Sequence, residues 1–148
     1  MGGSVCSCSY RDGKFGFEIS DDVECYKKFQ GSKYVKSHPE GIYKKVKELL
    51  KNGRKVLFIG LPCQVGSLLN CVGDNENLYT VDSICHGTPS PKVLEAFLKT
   101  YKVDINTVNK MAFRSDKGFG VDADGRRFSV NKILDYYSFL FFRVCFIY

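Results

Sequence analysis

Ile42, Val46, Leu49 and Leu50 fall at i, i+4, i+7 and i+8, one face of an amphipathic helix. Gly53 closes that helix, and Lys55 to Gly60 (KVLFIG) follows at once as a short apolar run. A helix that hands over directly to an apolar strand is what a central strand of an α/β sheet requires. The pattern recurs. Leu61-Pro62-Cys63 leads into a helical stretch with Leu68 and Leu69, and Leu78 to Ile84 reads as another strand. Cys85 to Pro91 reads as a loop. Ser90-Pro91 then opens a helix with Val93, Leu94, Phe97 and Leu98 on one face.

The region before this alternation has a different period. Ser4 to Tyr10 reads as a strand, Arg11-Asp12-Gly13 as a turn, and Lys14 to Ser20 alternates with Phe15, Phe17 and Ile19 on one face. This is a hairpin signal. Asp21 or Asp22 can cap a short helix through Phe29, Lys33 to Ser37 reads as extended, and Pro39 suits a helix start. Beyond the alternation, Ile105 to Phe113 reads as a strand with a lead-in, and Ser115 to Gly120 as a Gly-rich loop. Asp124-Gly125 reads as a turn, and a helix is expected from Ile133 onward. The expected class is α/β: a mixed β-sheet flanked by helices, a single domain over 1–148 with an N-terminal hairpin.

A length of 148 residues with 44% hydrophobic and 26% charged residues excludes intrinsic disorder and collagen-like repeats. No apolar run reaches the roughly 18 residues of a membrane span; the nearest is Tyr136 to Tyr148, with Arg143 inside it. The first residues lack the charged-then-apolar order of a signal peptide, so a cytoplasmic, reducing compartment is expected. There, the seven cysteines point to metal, cluster or reactive thiol, or to inert buried thiols, rather than to a disulfide scaffold. The net charge of +6 is concentrated: ten Lys/Arg lie between Val23 and Lys55 against Glu24, Glu40 and Glu48. Such a stretch attracts phosphates or acidic partners, or is a solvated helix face.

Two loops stand out, because each puts a cysteine just past the C-terminal end of an expected strand, where open α/β sheets bind ligands. One is Gly60-Leu61-Pro62-Cys63-Gln64, with Cys63 near a helix N-terminus. Free amides there favour the thiolate, the form that attacks electrophiles or ligates iron and zinc. The other is Cys85-His86-Gly87-Thr88-Pro89-Ser90-Pro91. Each cysteine alone is also readable as a small buried hydrophobe. His86 can tune the neighbouring thiol or be a satisfied loop residue, and His38, before Pro39, reads as solvated. Cys6 and Cys8 are expected on opposite faces of their strand, and Cys25 and Cys71 as structural residues on helices. The absence of any CxxC pair excludes a zinc ribbon or a local ferredoxin run. Neither a GxGxxG nor a Walker A loop is present, and no catalytic residue can be assigned.

Four segments taken together resemble a known family. They are Gln30 to Ser37 (QGSKYVKS), Gly53 to Gln64 (GRKVLFIGLPCQ), Val81 to Pro91 (VDSICHGTPSP) and Phe113 to Gly120 (FRSDKGFG). In order and spacing they are similar to the coenzyme F420 hydrogenase/dehydrogenase beta-subunit family, whose patterns look like GSKYVQS, GTPCQ, CHGxPSP and FRDK-x-G. The resemblance implies an iron–sulfur flavoprotein oxidoreductase that holds FAD beside a 4Fe-4S cluster. It passes electrons between a hydride carrier, a deazaflavin in some members, and iron–sulfur partners such as a ferredoxin or another redox partner protein. On matching positions it implies cofactor binding by Gly31, Ser32, Lys33, Tyr34, Ser37, His86 and Lys117. It implies cluster ligation by Cys63 and Cys85, with Cys145 as a third ligand. The sequence departs from the family where a further ligand is expected, at Tyr148, and resembles a core lacking both ends.

Two other readings stand beside this one. The first is a cysteine-nucleophile enzyme using Cys63 at a helix N-terminus. The second, ranked last because its aromatics (Tyr26, Phe29, Tyr34, Tyr43) are sparse, is a basic module binding nucleic acid or an acidic partner through the Val23 to Lys55 stretch; nucleic acid is not an expected partner.

Overall fold

The structure is a computed structural model, and it describes residues 2–85, 87–115 and 118–128. The helix expected from Ile133 onward lies outside these described residues. The chain forms two compact units. The first takes the residues up to Ser9, Gly16–Gln30 and His38–Cys85; the second takes Tyr10–Phe15, Gly31–Ser37 and the residues after Cys85.

The first unit is built on a four-stranded sheet ordered β2-β1-β3-β4. Its strands are β1 (Ser4–Arg11), β2 (Lys14–Ser20), β3 (Val56–Gly60) and β4 (Leu78–Asp82). The hairpin β1–β2 turns through Asp12 (φ 50°) and Gly13 (φ 75°). Two successive left-handed residues match the right-handed twist of the flanking strands, which is why the Asp-Gly pair is legible as a turn. β3 pairs in parallel with β1 (Cys6 opposite Phe58) and with β4 (Phe58 opposite Thr80, Gly60 opposite Asp82). The expected mixed sheet flanked by helices is therefore present.

Parallel neighbours need crossovers, and two helices supply them: α2 (Ile42–Lys51) and α3 (Pro62–Val72). A short α1 (Tyr26–Phe29) precedes them, entered by a 3-10 turn that Asp22 caps by accepting from the Glu24 amide at 2.9 Å. The core joins Cys6 and Phe17 to Ile42, Val46 and Leu50 of α2, Val56 and Phe58 of β3, and Val65 and Leu68 of α3. Phe17 and Phe58 stack face to face with centroids 5.2 Å apart. Each fully buried side chain of this size contributes about 1.5–3 kcal/mol relative to exposure. Cys8 packs against the same core as Cys6. The expectation of opposite faces is thus corrected: residues two apart on a strand share a face. Burial pushes the Cys6 thiol up to about 12.

The second unit holds an antiparallel sheet β5-β6-β7, made of Met111–Ser115, Gly118–Ala123 and Arg126–Phe128. With it comes α4 (Pro91–Thr100), whose Ser90 cap accepts from the Lys92 amide. Leu94, Phe97 and Leu98 are buried, and Phe128 meets Tyr101 at 4.8 Å between centroids. Two expectations change here. The strand expected from Ile105 begins only at Met111, after a 3-10 turn at Ile105–Thr107 that Asp104 caps. The Gly-rich segment is not all loop, because β6 starts at Gly118. A Cβ on Gly120 would stand 3.2 Å from the Arg127 guanidinium and 3.3 Å from the Phe128 carbonyl. The glycine thus permits close approach of the adjacent strand.

Asp124 (φ 49°) and Gly125 (φ 82°) turn β6 into β7. The Asp124 carboxylate accepts from the Asn109 amide (3.0 Å) and the Lys110 amide (2.7 Å), which hold it below the usual carboxylate range. A carboxyl whose folded-state value is lowered stabilises the fold above its unfolded value of about 4, and that contribution is lost as pH falls through the lowered value. Asp124→Asn should therefore lower Tm at neutral pH. The gap to the wild type should close as the pH of a thermal scan falls below about 4. A gap that is constant with pH would show that the carboxylate charge is not what these amides recognise.

Candidate functional site

The in-step register of β3 and β4 decides where the candidate cysteines go. Gly60 and Asp82 end adjacent parallel strands opposite one another. Cys63 and Cys85 each stand three residues beyond those ends. The amide of Ser83 donates to the Gly60 carbonyl at 3.1 Å, tying the two post-strand segments together. Both cysteines thus belong to the C-terminal edge of one sheet, Cys63 exposed and Cys85 half-buried.

The Cys63 segment is shaped by its neighbours. Leu61 caps α3, Pro62 occupies the first turn, and the buried Gln64 folds back so that its Oε1 accepts from the Leu61 amide at 2.9 Å. Proline suits this position because its missing N–H would have had no helical partner. Ser67 Oγ donates to the Cys63 carbonyl at 2.7 Å. From α2, the Tyr43 hydroxyl donates to the Gln64 carbonyl at 3.1 Å. Its own proton is held more tightly than usual, first by burial and then by the nearby Cys63. Tyr43 and Ser67 were not legible as site residues. Tyr43 sits on the edge of an amphipathic stripe, and only the packing of α2 on α3 brings it to this loop.

The remaining cysteines separate by burial. Cys6 and Cys25 are buried, whereas Cys71, at the far end of α3, is exposed. Its expected structural role is therefore not a core role. His38 is exposed and lies in an isolated bridge to Gly16.

The segment expected to hold a flavin belongs to the second unit. Gly31 is left-handed (φ 79°) with open space where a Cβ would stand. Ser32 is exposed, Lys33 and Tyr34 are half-buried, and Val35 and Ser37 are buried. The Tyr34 ring meets Phe113 edge-on at 6.0 Å, and the Lys36 amide donates to the Pro89 carbonyl at 2.9 Å. The segment is irregular rather than a strand, anchored by two buried side chains while its Gly31-Ser32 end faces solvent. His86, Lys117 and Cys145 lie outside the described residues. Among the described residues, no group of three or more His, Cys, Asp or Glu side chains is arranged to hold a metal ion.

Comparison with known proteins gives this arrangement a family. None of the curated proteins compared matches the chain. A solved chain from the F420-reducing [NiFe] hydrogenase complex of Methanosarcina barkeri matches it with a TM-score of 0.57 at 19% identity. The match covers 82% of this chain and 45% of that one, so this chain spans less than half of that chain's length. At that identity the likeness concerns the fold. The sequence profile for the C terminus of the coenzyme F420 hydrogenase/dehydrogenase beta subunit matches residues 53–139, more than half of the chain and including both Cys63 and Cys85. The chain belongs to the coenzyme F420 hydrogenase/dehydrogenase beta-subunit family.

Proposed function

We propose that this chain is the core of a flavin-dependent, iron–sulfur oxidoreductase that passes electrons between a hydride carrier and one-electron iron–sulfur partners. The observation that carries the reading is the placement of Cys63 and Cys85 beyond the in-step ends of β3 and β4. Both cysteines thereby stand at the kind of sheet edge where α/β proteins hold ligands. The hydride carrier would be a deazaflavin, as the family's description suggests, and the acceptor a ferredoxin or another redox protein. Among the described residues, no helix is long and apolar enough to cross a membrane, in keeping with a cytoplasmic site of action.

The chemistry of the residues fits the two cofactors unequally. A flavin dinucleotide needs backbone donors and a cation for its phosphates. The open Gly31-Ser32 turn followed by Lys33 offers both, with Tyr34 packed on Phe113 and with Val35 and Ser37 buried. When bound, the flavin would supply the exchange between two-electron and one-electron chemistry. The chain's own residues would then orient the phosphates through Lys33 and the Gly31-Ser32 amides, with His86 and Lys117 as further contacts. A 4Fe-4S cluster takes four thiolates in most cases. The described residues bring two to this edge, Cys63 and Cys85, and so do not complete a cluster by themselves. Cys145 is proposed as a third ligand.

The test is anaerobic purification followed by a visible spectrum with iron and sulfide analysis. Flavin bands with a broad cluster shoulder are expected. Cys63→Ser and Cys85→Ser should each bleach the shoulder, while Cys71→Ser, at the other end of the same helix, should not. A colourless protein that takes up neither FAD nor iron and sulfide on reconstitution would overturn the reading. The exposure of Cys63 favours one alternative, a cysteine-nucleophile enzyme. Stoichiometric alkylation of Cys63 at mildly acidic pH in such a colourless protein would support it.

A further inference from the structure

Helix α2 carries exposed cations that make no ion pair among the described residues. Its inward residues Ile42, Val46 and Leu50 belong to the core, while Lys44, Lys45, Lys47, Glu48 and Lys51 are exposed. At about 100° per residue, Lys44, Lys47 and Lys51 fall within a stripe roughly 60° wide on the side away from the core. Among the described residues, Lys44, Lys45 and Lys51 have no carboxylate partner. Other cations of the same unit do: Lys27 pairs with Glu24, and Arg54 with Asp21. Uncompensated like charges on one helix face repel one another.

The ridge runs beside the helix that begins at the candidate site. Lys47 Nζ donates to the Cys71 carbonyl at 2.7 Å near the end of α3. Tyr43, one residue before Lys44, reaches the Gln64 carbonyl next to Cys63. The two helices therefore lie side by side in the same sense, and the row of lysines runs along α3 from its Cys63 end toward its Cys71 end.

We infer that the Lys44–Lys47–Lys51 ridge of α2 is the docking surface for an acidic protein that exchanges electrons at the Cys63–Cys85 edge. The inference rests on the redox reading above, and names the partner's chemistry and where it sits. A nucleic acid fits less well, because α2 exposes no aromatic ring on which a base could stack. A membrane fits less well, because the apolar face of α2 is already used in the core. Three cations on one helix face, each within a Debye length of about 8–10 Å of a neighbour, act together on an acidic surface. They would raise the association rate and orient the partner toward α3.

The experiment measures binding rather than turnover, using a small acidic ferredoxin as the probe at salt from about 20 to about 300 mM. The wild type should bind with an affinity that falls steadily with salt. Lys44→Glu/Lys51→Glu should weaken binding at least about tenfold at the lowest salt, with an unchanged far-UV CD spectrum. Lys14→Glu/Lys92→Glu, which makes the same change of net charge on β2 and α4, should change it less than about twofold. Equal weakening by both variants, or no binding of the probe by the wild type, overturns the docking surface. So does tighter ridge-dependent binding of a single-stranded DNA oligomer than of the ferredoxin. Because binding is read without electron transfer, the two readings fail separately. Ridge-dependent binding by a protein that takes up no cofactor sinks the redox reading alone, and a coloured protein indifferent to the ridge sinks the docking surface alone.

Discussion

Phe58→Ala is expected to lower the unfolding free energy by about 3–5 kcal/mol, a large share of the marginal stability of a small domain. Phe58 is the middle residue of β3 and is 0% exposed, with Cys6 opposite on one side and Thr80 on the other. Its ring stacks on Phe17 with an interplanar angle of 1° and meets Tyr43 at 6.1 Å. The sheet and α2 both border the space it would leave, and neither can close without breaking a parallel register or a helix contact. The transfer and cavity contributions therefore add. Urea unfolding should show a lower midpoint at an unchanged slope. Phe58→Leu, which keeps most of the volume, should cost about 1.5 kcal/mol or less. A loss below about 1 kcal/mol for the alanine variant would mean that the site collapses and that Phe58 does not organise this core.

Gly60→Ala is the second large effect, and it connects the core to the candidate site. A Cβ at Gly60 would lie 2.8 Å from the Phe58 ring and 3.2 Å from Gln64 Oε1. Neither neighbour yields freely: the ring is fully buried, and the amide oxygen is bonded to the Leu61 N–H. Overpacking of this kind costs about 1–3 kcal/mol. Pushing Gln64 away also opens the cap that shapes Pro62-Cys63. The variant should therefore lose stability and change the rate at which Cys63 reacts with iodoacetamide, while Cys71 on the same helix keeps its rate. Combining Gly60→Ala with Phe58→Leu should cost clearly less than the sum of the two, because the smaller side chain makes room for the added methyl. Strict additivity would show that the two residues do not compete for space.

These two residues also show how function is built on packing in this fold. The glycine that ends β3 exists for the phenylalanine two residues earlier, and the glutamine that it clears holds the loop presenting Cys63. The same strand end accepts the Ser83 amide and so carries the segment leading to Cys85. A mutation in the buried half of β3 would thus be felt at both cysteines.

The alternation of apolar periods was sufficient to give the mixed α/β sheet, because helix and strand bury their faces at different spacings. The Asp12-Gly13 and Asp124-Gly125 turns were legible for a local reason: successive left-handed residues suit aspartate and glycine. The positions of Cys63 and Cys85 just past strand ends followed from the same alternation, and the ordered motifs named the family. The sequence could not show that the two strand ends are adjacent and in step, since pairing register is set by long-range packing rather than by local preference. Nor could it show that Gly120 lies in a strand, because a glycine required by a neighbouring strand's Arg127 looks locally like a loop residue. Tyr43 escaped for the same reason. Its role depends on α2 lying against α3, a contact between residues 21 apart in the chain. What local chemistry encodes could be read from the residues; what two distant segments do to each other was decided only by the tertiary structure.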